Sequence, residues 1–148
     1  NGGSSGNLFK RIYNGMTYYT LGITGYVDIW DVVKAMQQLM NSNIKNEGFI
    51  LVSENISFKA LQTKTAEELQ VKPPNKEAKP WLLAIAWRLD WLKHKLFGKP
   101  RILSKQVAKS AINISKYDAS KLKTTLNFEF KPINKSIEEV SLLYLQDV

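Results

Sequence analysis

The chain has 148 residues, an apolar fraction of 44%, a net charge of +8 and no cysteine. This length and composition predict one globular domain and exclude disordered and fibrous classes, while the absence of cysteine excludes disulfides, cysteine-type zinc sites and thiol catalysis. The longest apolar run, Trp81 to Trp87, is far shorter than the roughly 20 residues of a spanning helix, and the N-terminus lacks a basic-then-apolar secretory pattern. We therefore expect no membrane crossing and a cytoplasmic protein.

The positive charge is concentrated in residues 93–135, which contain eleven lysines and arginines against Asp118 and Glu129. Such a segment can form an interaction module that binds nucleic acid or an anionic surface. The plainer alternative is a solvated lysine surface, which favours no partner.

Residues 1–6 are rich in glycine, serine and asparagine, and they form either a flexible lead or an expression remnant. Ser5 followed by Leu8, Phe9 and Ile12 predicts a helix of about two turns that ends near Asn14-Gly15. A short strand is predicted at 16–20.

The segment 22–36 predicts a loop, a short strand and a capped helix in direct succession. Its two glycines supply loop geometry, Tyr26, Val27 and Ile29 favour a strand, and Asp31 is the predicted helix cap. Residues Val32, Val33, Met36, Leu39 and Met40 are the predicted apolar positions of the helix. Asp28 is then a carboxylate inside an apolar strand, where it needs a partner because burying an unpaired charge is costly.

Further elements follow from turn and cap signals. Phe49 to Val52 is predicted as a strand, and Ser57 is predicted to open a helix whose apolar residues recur through Leu69. The proline-rich segment 71–80 is predicted as a loop. The alternation of strand and helix is typical of an α/β unit.

The segment Trp81–Phe97 is predicted to be a helix that ends at Gly98 and carries an unusually wide apolar surface. It is either a core helix with a domain contact, a membrane-surface helix or an oligomer face. Three shorter helices are expected after it, at 104–112, from Asp118 or Ser120 to Leu126, and at 137–145 with a capping box formed by Ser136 and Glu139.

Catalytic signals are sparse. The only histidine, His94, lies in the charged end of a predicted helix, where an exposed polar residue is expected, and neither glycine-rich stretch has the order of a phosphate loop. Tyr117 and Lys121 have the Tyr-x-x-x-Lys spacing of a dehydrogenase proton shuttle. However, that pair must lie on one long helix, and the cap residue Asp118 interrupts it.

Three segments carry a family resemblance, in the order in which the family has them. They are Gly25 to Met36, Glu47 to Leu61 and Tyr117 to Phe128. Together they resemble the C-terminal part of an extended short-chain dehydrogenase/reductase, of the NAD-dependent epimerase/dehydratase and dihydroflavonol-reductase-like branch. The resemblance implies a helix-rich α/β fragment of a Rossmann-type enzyme. Residues 1–56 would complete the cofactor-domain sheet and line the substrate pocket, and residues 57–148 would form a mostly helical substrate-binding region.

The resemblance also implies what the chain lacks, since the family's glycine-rich fingerprint and catalytic Tyr-x-x-x-Lys would lie upstream. We expect no catalytic residue, no metal site and no cofactor bound to this chain alone, with NAD or NADP held by the missing N-terminal Rossmann half. The implied partners are that half, a small-molecule substrate and, through exposed apolar surface, a second copy of the chain; nucleic acid is not expected.

Five residues are the predicted substrate-binding set: Asn7, Phe9, Tyr26, Asp28 and Arg101. Each has a structural alternative: Asn7 can be a helix-start residue, Asp28 a satisfied buried carboxylate and Arg101 a solvated cation. The substrate itself is not encoded, because the superfamily changes its pocket lining on a common frame.

Overall fold

The computed structural model describes residues 4–98 and 104–147. In this part of the chain seven helices and four short strands are present, so the prediction of a helix-rich α/β fold is confirmed. The elements in chain order are α1 (Ser4–Tyr13), β1 (Tyr18–Tyr19), β2 (Ile23–Tyr26), α2 (Ile29–Met40), β3 (Glu54–Ser57), α3 (Phe58–Glu68), β4 (Lys76–Glu77), α4 (Pro80–Phe97), α5 (Lys105–Ser110), α6 (Ser120–Leu126) and α7 (Ile133–Gln146).

Helix α3 lies at the centre and packs against α1, α7 and β3. One apolar cluster joins α1 to α3 through Phe9, Ile12, Ala66 and Leu69. A second joins α3 to α7 and is made of Leu61, Ile133 and Ile137, with Leu8, Tyr26 and Ile56 packed against it. A third surrounds Ala35, Leu122 and Phe128, and so joins α2 to α6. Each cluster includes residues from both sides of position 56, so the segments 1–56 and 57–148 share their core.

The strands form two small sheets. β2 pairs antiparallel with β3, with Ile23 opposite Ser57 and Tyr26 opposite Glu54. On its other side β2 makes an isolated parallel bridge between Ile23 and Ile114. β1 and β4 pair in parallel over two residues each. The predicted strand at 16–20 is therefore confirmed only at Tyr18–Tyr19.

Several predicted ends are confirmed. Ser57 caps α3 by accepting the amide of Ala60 at 3.1 Å, and Ser104 caps α5 by accepting the amide of Val107 at 3.2 Å. Gly98 ends α4 at φ 63°, a left-handed conformation that glycine adopts without a steric penalty. Asp118 accepts the amide of Ser120 at 2.9 Å, beside the start of α6.

The segment 22–36 differs from its prediction in three ways. The strand ends at Tyr26 and Asp28, not Asp31, caps α2, because the Asp28 carboxylate accepts the amide of Trp30 at 2.7 Å. Neither Gly22 nor Gly25 has a positive φ; both instead allow close approach, since a Cβ at Gly22 would lie 2.6 Å from the Ala111 carbonyl oxygen.

The burial of α2 also differs from the predicted apolar face. Asp31 and Ala35 are its buried residues, whereas Val33, Met36 and Met40 are exposed. The residues of α2 that form an outward apolar stripe are 47–82% exposed: Ile29, Trp30, Val33, Met36 and Met40. This set is called the α2 stripe below.

Two further predictions are wrong. Residues 49–52 form no strand; Phe49 and Leu51 instead pack against the cluster at Leu122. The last helix begins at Ile133, and Ser136 lies buried inside it, so Ser136 and Glu139 form no capping box. In place of that local cap, the first helical amide, that of Ile133, donates to the Glu54 carboxylate at 3.1 Å.

In residues 4–98 and 104–147 no helix has the length and apolar character needed to cross a bilayer.

Candidate functional site

A dense polar arrangement lies where α2 begins, beside the start of β3 and the segment that leads into α7. We call it the α2–α7 seam and define it by Asp28, Asp31, Ser53, Glu54 and Lys131. Asp28 and Asp31 are 7% and 8% exposed, so both carboxylates are turned into the protein. Buried carboxylates require hydrogen-bonded or ionic partners, and the seam supplies them.

The backbone of Lys131 is held from both sides. Its amide donates to Asp31 Oδ2 at 2.7 Å, and its carbonyl accepts the Ser53 hydroxyl at 2.7 Å. Two residues further on, the amide of Ile133 donates to Glu54 Oε1. These three bonds fix the path of the chain into α7 against α2 and β3.

The side chain of Lys131 lies between two carboxylates. Its Nζ is 3.6 Å from Asp28 Oδ2 and forms a closer ion pair with Glu139. The hydrogen bond with Glu139 is the main cause that raises the pKa of Lys131, and the charge of Asp28 adds to it. Burial alone would raise the pKa of Asp28, but the nearby Ser136 hydroxyl, the hydrogen bond from the Trp30 amide and the charge of Lys131 lower it. Both groups are therefore charged at neutral pH.

Tyr26 lies at the end of β2, half-buried against Leu61, Ile133 and Ile137. Burial raises the pKa of its phenol to about 12. Tyr26 therefore keeps its proton at neutral pH and can donate a hydrogen bond, but it cannot act there as a phenolate base.

The other predicted site residues are dispersed. Asn7 is exposed on α1, whereas Phe9, two positions on, is 8% exposed and belongs to the core cluster with Ile12 and Leu69. Arg101 lies outside the described residues. The structure thus brings Tyr26 and Asp28 to one end of β2, while Asn7 and Phe9 lie on α1.

The Tyr-x-x-x-Lys spacing does not place its two ends on one helix. Tyr117 precedes α6 by three residues, and both its amide and its carbonyl are bonded to the side chain of Asn55, at 2.9 and 2.8 Å. Lys121 forms an ion pair with Glu47 at 2.9 Å and donates to the Gly48 carbonyl. The Lys121 ammonium group thus binds the loop before β3 and not the Tyr117 side chain.

The basic segment is partly neutralised in the same way. Lys121 and Lys131 have acidic partners, and the Lys123 ammonium lies 5.7 Å from the centre of the Phe130 ring. Fewer cations are therefore free for a polyanion than the sequence count indicates.

Surface depressions formed by the described residues lie elsewhere, and two of them have clear linings. The larger, of about 570 Å³, lies between the C-terminal ends of α2 and α6 and is lined in part by Gln37, Asn41 and Asn127. The smaller, of about 320 Å³, lies near Arg11 and Tyr18. Neither is lined by a predicted substrate residue, and within the described residues no cluster of three or more histidine or acidic side chains is arranged to hold a metal ion.

Asp28 can be predicted from the sequence, but the residues that bind it and its neighbours cannot. Ser53, Glu54 and Lys131 carry no local signal, because their partners are 78 to 100 positions away in the chain. Asp31 was predicted as a local cap, and its actual acceptor role toward Lys131 depends on the tertiary fold alone.

Comparisons with known proteins bear on the fold. No protein-family model and no curated protein matches the chain. A solved structure described as the crystal structure of gox2253 is similar to it with a TM-score of 0.76 at 20% sequence identity. The match covers 98% of this chain and 44% of the gox2253 chain, so the chain spans less than half the length of that protein. At this identity the likeness establishes the α/β fold.

Proposed function

We propose that the chain is the substrate-binding C-terminal part of an NAD(P)-dependent extended short-chain dehydrogenase/reductase of the epimerase/dehydratase type. The observation that carries the proposal is the family order of the three motifs at 25–36, 47–61 and 117–128. Their arrangement in space supports it. Asn55 of the second motif binds the backbone of Tyr117 in the third, and the amide of Ser53 donates to the Tyr26 carbonyl of the first at 2.8 Å.

Two further observations support a role as part of a larger enzyme. Within the described residues the sheets have two strands each, and isolated two-stranded sheets are marginal in water, which favours completion by strands outside the chain. The α2 stripe exposes apolar side chains of a size that normally packs against protein. A Rossmann half that adds strands and covers α2 accounts for both.

In this proposal the chain orients the substrate and excludes water, and the other half supplies the reacting groups. Tyr26 presents a protonated phenol at the end of β2, and the α2–α7 seam keeps the start of α2 fixed beside it. Asn7 and Arg101 are the proposed polar contacts to substrate. The chain has no strand-linked glycine-rich phosphate loop, so its residues do not fit NAD or NADP, and the cofactor belongs to the other half. A cytoplasmic location is part of the same proposal.

The first test is the reading frame upstream of Asn1. We expect a strand-linked Gly-x-x-Gly-x-x-Gly and a Tyr-x-x-x-Lys there. The complete protein should quench NADH or NADPH fluorescence on binding, and residues 1–148 alone should not. Calorimetry that detects tight NAD or NADP binding by residues 1–148 would overturn the proposal, as would an upstream sequence with neither motif.

A further inference from the structure

Helix α4 carries a second exposed apolar surface, which differs in kind from the α2 stripe. At 100° per residue, five side chains of α4 fall within an arc of about 80°. They are 44–65% exposed and comprise Trp81, Ile85, Leu89, Leu92 and Leu96. We call this set the α4 stripe. The other side of the helix is apolar too, but there Leu83 and Trp87 are half-buried, and α4 packs on α5.

Cations border the α4 stripe on both sides. Arg88 and Lys95 lie along one edge and Lys93 along the other, and all three are exposed. The charged groups of Arg88 and Lys95 lie 4.7 and 5.3 Å from the ring centres of Trp87 and Trp91. The one acidic residue of the helix, Asp90, lies on the half-buried side.

Helix α5, which packs on α4, adds further positive charge. Lys105 and Lys109 of α5 are exposed, and Val107 between them is 51% exposed. Neither these two lysines nor Lys93 and Lys95 form an ion pair with another described residue. Their charge is therefore available to an outside partner.

This charge pattern distinguishes between occupants. A second copy of the chain would bring the cationic borders of two α4 helices together, and like charges at those flanking positions repel. Helix α2, by contrast, carries one cation, Lys34, whose ammonium lies over the Phe128 ring. The α4 stripe thus complements an anionic apolar boundary, while the α2 stripe suits a neutral protein surface.

We propose that α4 is a membrane-surface helix, which lies in the interface of bilayers that contain anionic lipid. The α4 stripe enters the boundary between headgroups and acyl chains, and the bordering lysines and arginine contact the lipid phosphates. Tryptophan suits that depth, because its ring is apolar and its N–H can reach a polar partner. The helix lies along the surface and does not cross it.

The test is sedimentation of the 148-residue chain with two kinds of vesicle. One is pure phosphatidylcholine, and the other also contains about 30% phosphatidylserine, which is anionic. We expect binding to the anionic vesicles at least about tenfold stronger than to neutral ones, and weakened by salt. Tryptophan emission should shift to shorter wavelength on binding. Equal binding to both vesicle types would overturn the proposal.

Matched variants separate the two surfaces. Leu89→Gln with Leu92→Gln should reduce binding at least about tenfold, whereas Val33→Gln with Met36→Gln on α2 should leave it unchanged. Lys93→Glu with Lys95→Glu should weaken binding by more than about tenfold, since each cation near an anionic surface contributes about fivefold. Lys45→Glu with Lys72→Glu makes the same change in net charge at other exposed positions and should have a much smaller effect.

Circular dichroism establishes that each variant folds, which is expected because all the substituted side chains are at least partly exposed. A chain that binds no vesicles contradicts the proposal. If it also dimerises and the Leu89→Gln, Leu92→Gln variant is monomeric by sedimentation equilibrium, the occupant of the α4 stripe is a second copy. Loss of vesicle binding in the α2 variant alone would place the membrane contact on α2 and would also overturn the proposal.

Discussion

Asp28 stabilises the protein through two kinds of contact, a helix cap and a charge pair. Replacing it with alanine removes the acceptor of the Trp30 amide and leaves Lys131 with Glu139 alone. We expect the free energy of unfolding to fall by about 1–2 kcal/mol, the usual cost of a lost N-cap with its neighbouring interaction. Asp28→Asn keeps an oxygen acceptor and should cost less. Urea unfolding at neutral pH measures both, with the exposed Glu67→Gln as a control that should change little.

The stability conferred by Asp28 should depend on pH in one direction. Its pKa is lowered in the folded state from the ordinary 3.8, so folding favours the charged form. The contribution is therefore fully present above the ordinary pKa and is lost as the pH falls through the lowered pKa of the folded state. The difference in unfolding free energy between the natural chain and Asp28→Asn should be constant between pH 5 and 7, which is about a unit or more above the ordinary pKa of 3.8. The difference should shrink in more acidic solution. A difference that stays constant into strong acid would contradict the charge pair.

Gly22, which precedes β2, and Gly25, which lies within it, should respond differently to alanine. At Gly22 a Cβ would meet the backbone of Ala111 at 2.6 Å, and at Gly25 it would meet the Val52 side chain at 2.5 Å. Overpacking of this kind costs about 1–3 kcal/mol. Gly22→Ala should destabilise the protein more than Gly25→Ala, because the Ala111 backbone cannot move away from the new Cβ as easily as the Val52 side chain can change its rotamer. Thermal unfolding compares them with Gly48→Ala, where a Cβ meets nothing within 4 Å.

A double-mutant cycle provides the internal check for Gly25. Val52→Ala removes the group that the new Cβ would strike, so the double variant should be more stable than the two single effects predict when added. Strict additivity would mean that the loss at Gly25 does not arise from contact with Val52.

At the scale of single residues, local patterns found the right residue types but not always their partners. Ser57 and Gly98 were predicted because a cap and a left-handed stop depend on a few neighbouring residues. Asp28 and Asp31 are equivalent by local criteria, since each precedes apolar residues of a helix. The amide of Lys131, 100 positions away in the chain, donates to the Asp31 carboxylate. Asp28 is therefore the residue that caps the helix.

Among the elements, α4 and α6 should differ sharply in what a truncated leucine costs. Leu122 of α6 is fully buried, and Leu122→Ala should lower the free energy of unfolding by about 2–5 kcal/mol. Leu92 of α4 is 44% exposed, and Leu92→Ala should cost less than about half as much. Denaturant unfolding measures both changes. Equal losses would mean that the α4 stripe packs within the folded chain in solution.

The strands were predicted less well than the helices. Residues 49–52 are apolar enough for a strand but find no ladder partner, and their side chains fill the cluster around Leu122 instead. β3 has the polar sequence Glu54-Asn55-Ile56-Ser57 and is a strand because β2 pairs with it. Strand propensity reflects packing and pairing with distant residues, so it is a weak local signal.

For the whole molecule, the proposed function predicts which helix of this chain becomes protected from hydrogen exchange in a larger enzyme. Hydrogen exchange of the amides in α2 should slow in the complete protein relative to residues 1–148, because covering the α2 stripe stabilises the helix. The amides of α4 should exchange at the same rate in both, in the absence of lipid. Mass spectrometry of peptides from the two helices measures this. Unchanged exchange in α2 would contradict coverage by another half.

The α2–α7 seam also determines when in folding the last helix can dock. Its three backbone bonds close loops of 78, 79 and 100 residues, and the entropy of closing such loops must be met before any of the bonds contributes. We expect contacts of this sequence separation to form late, so changes at Ser53 or Glu54 should speed unfolding while leaving the folding rate nearly unaltered.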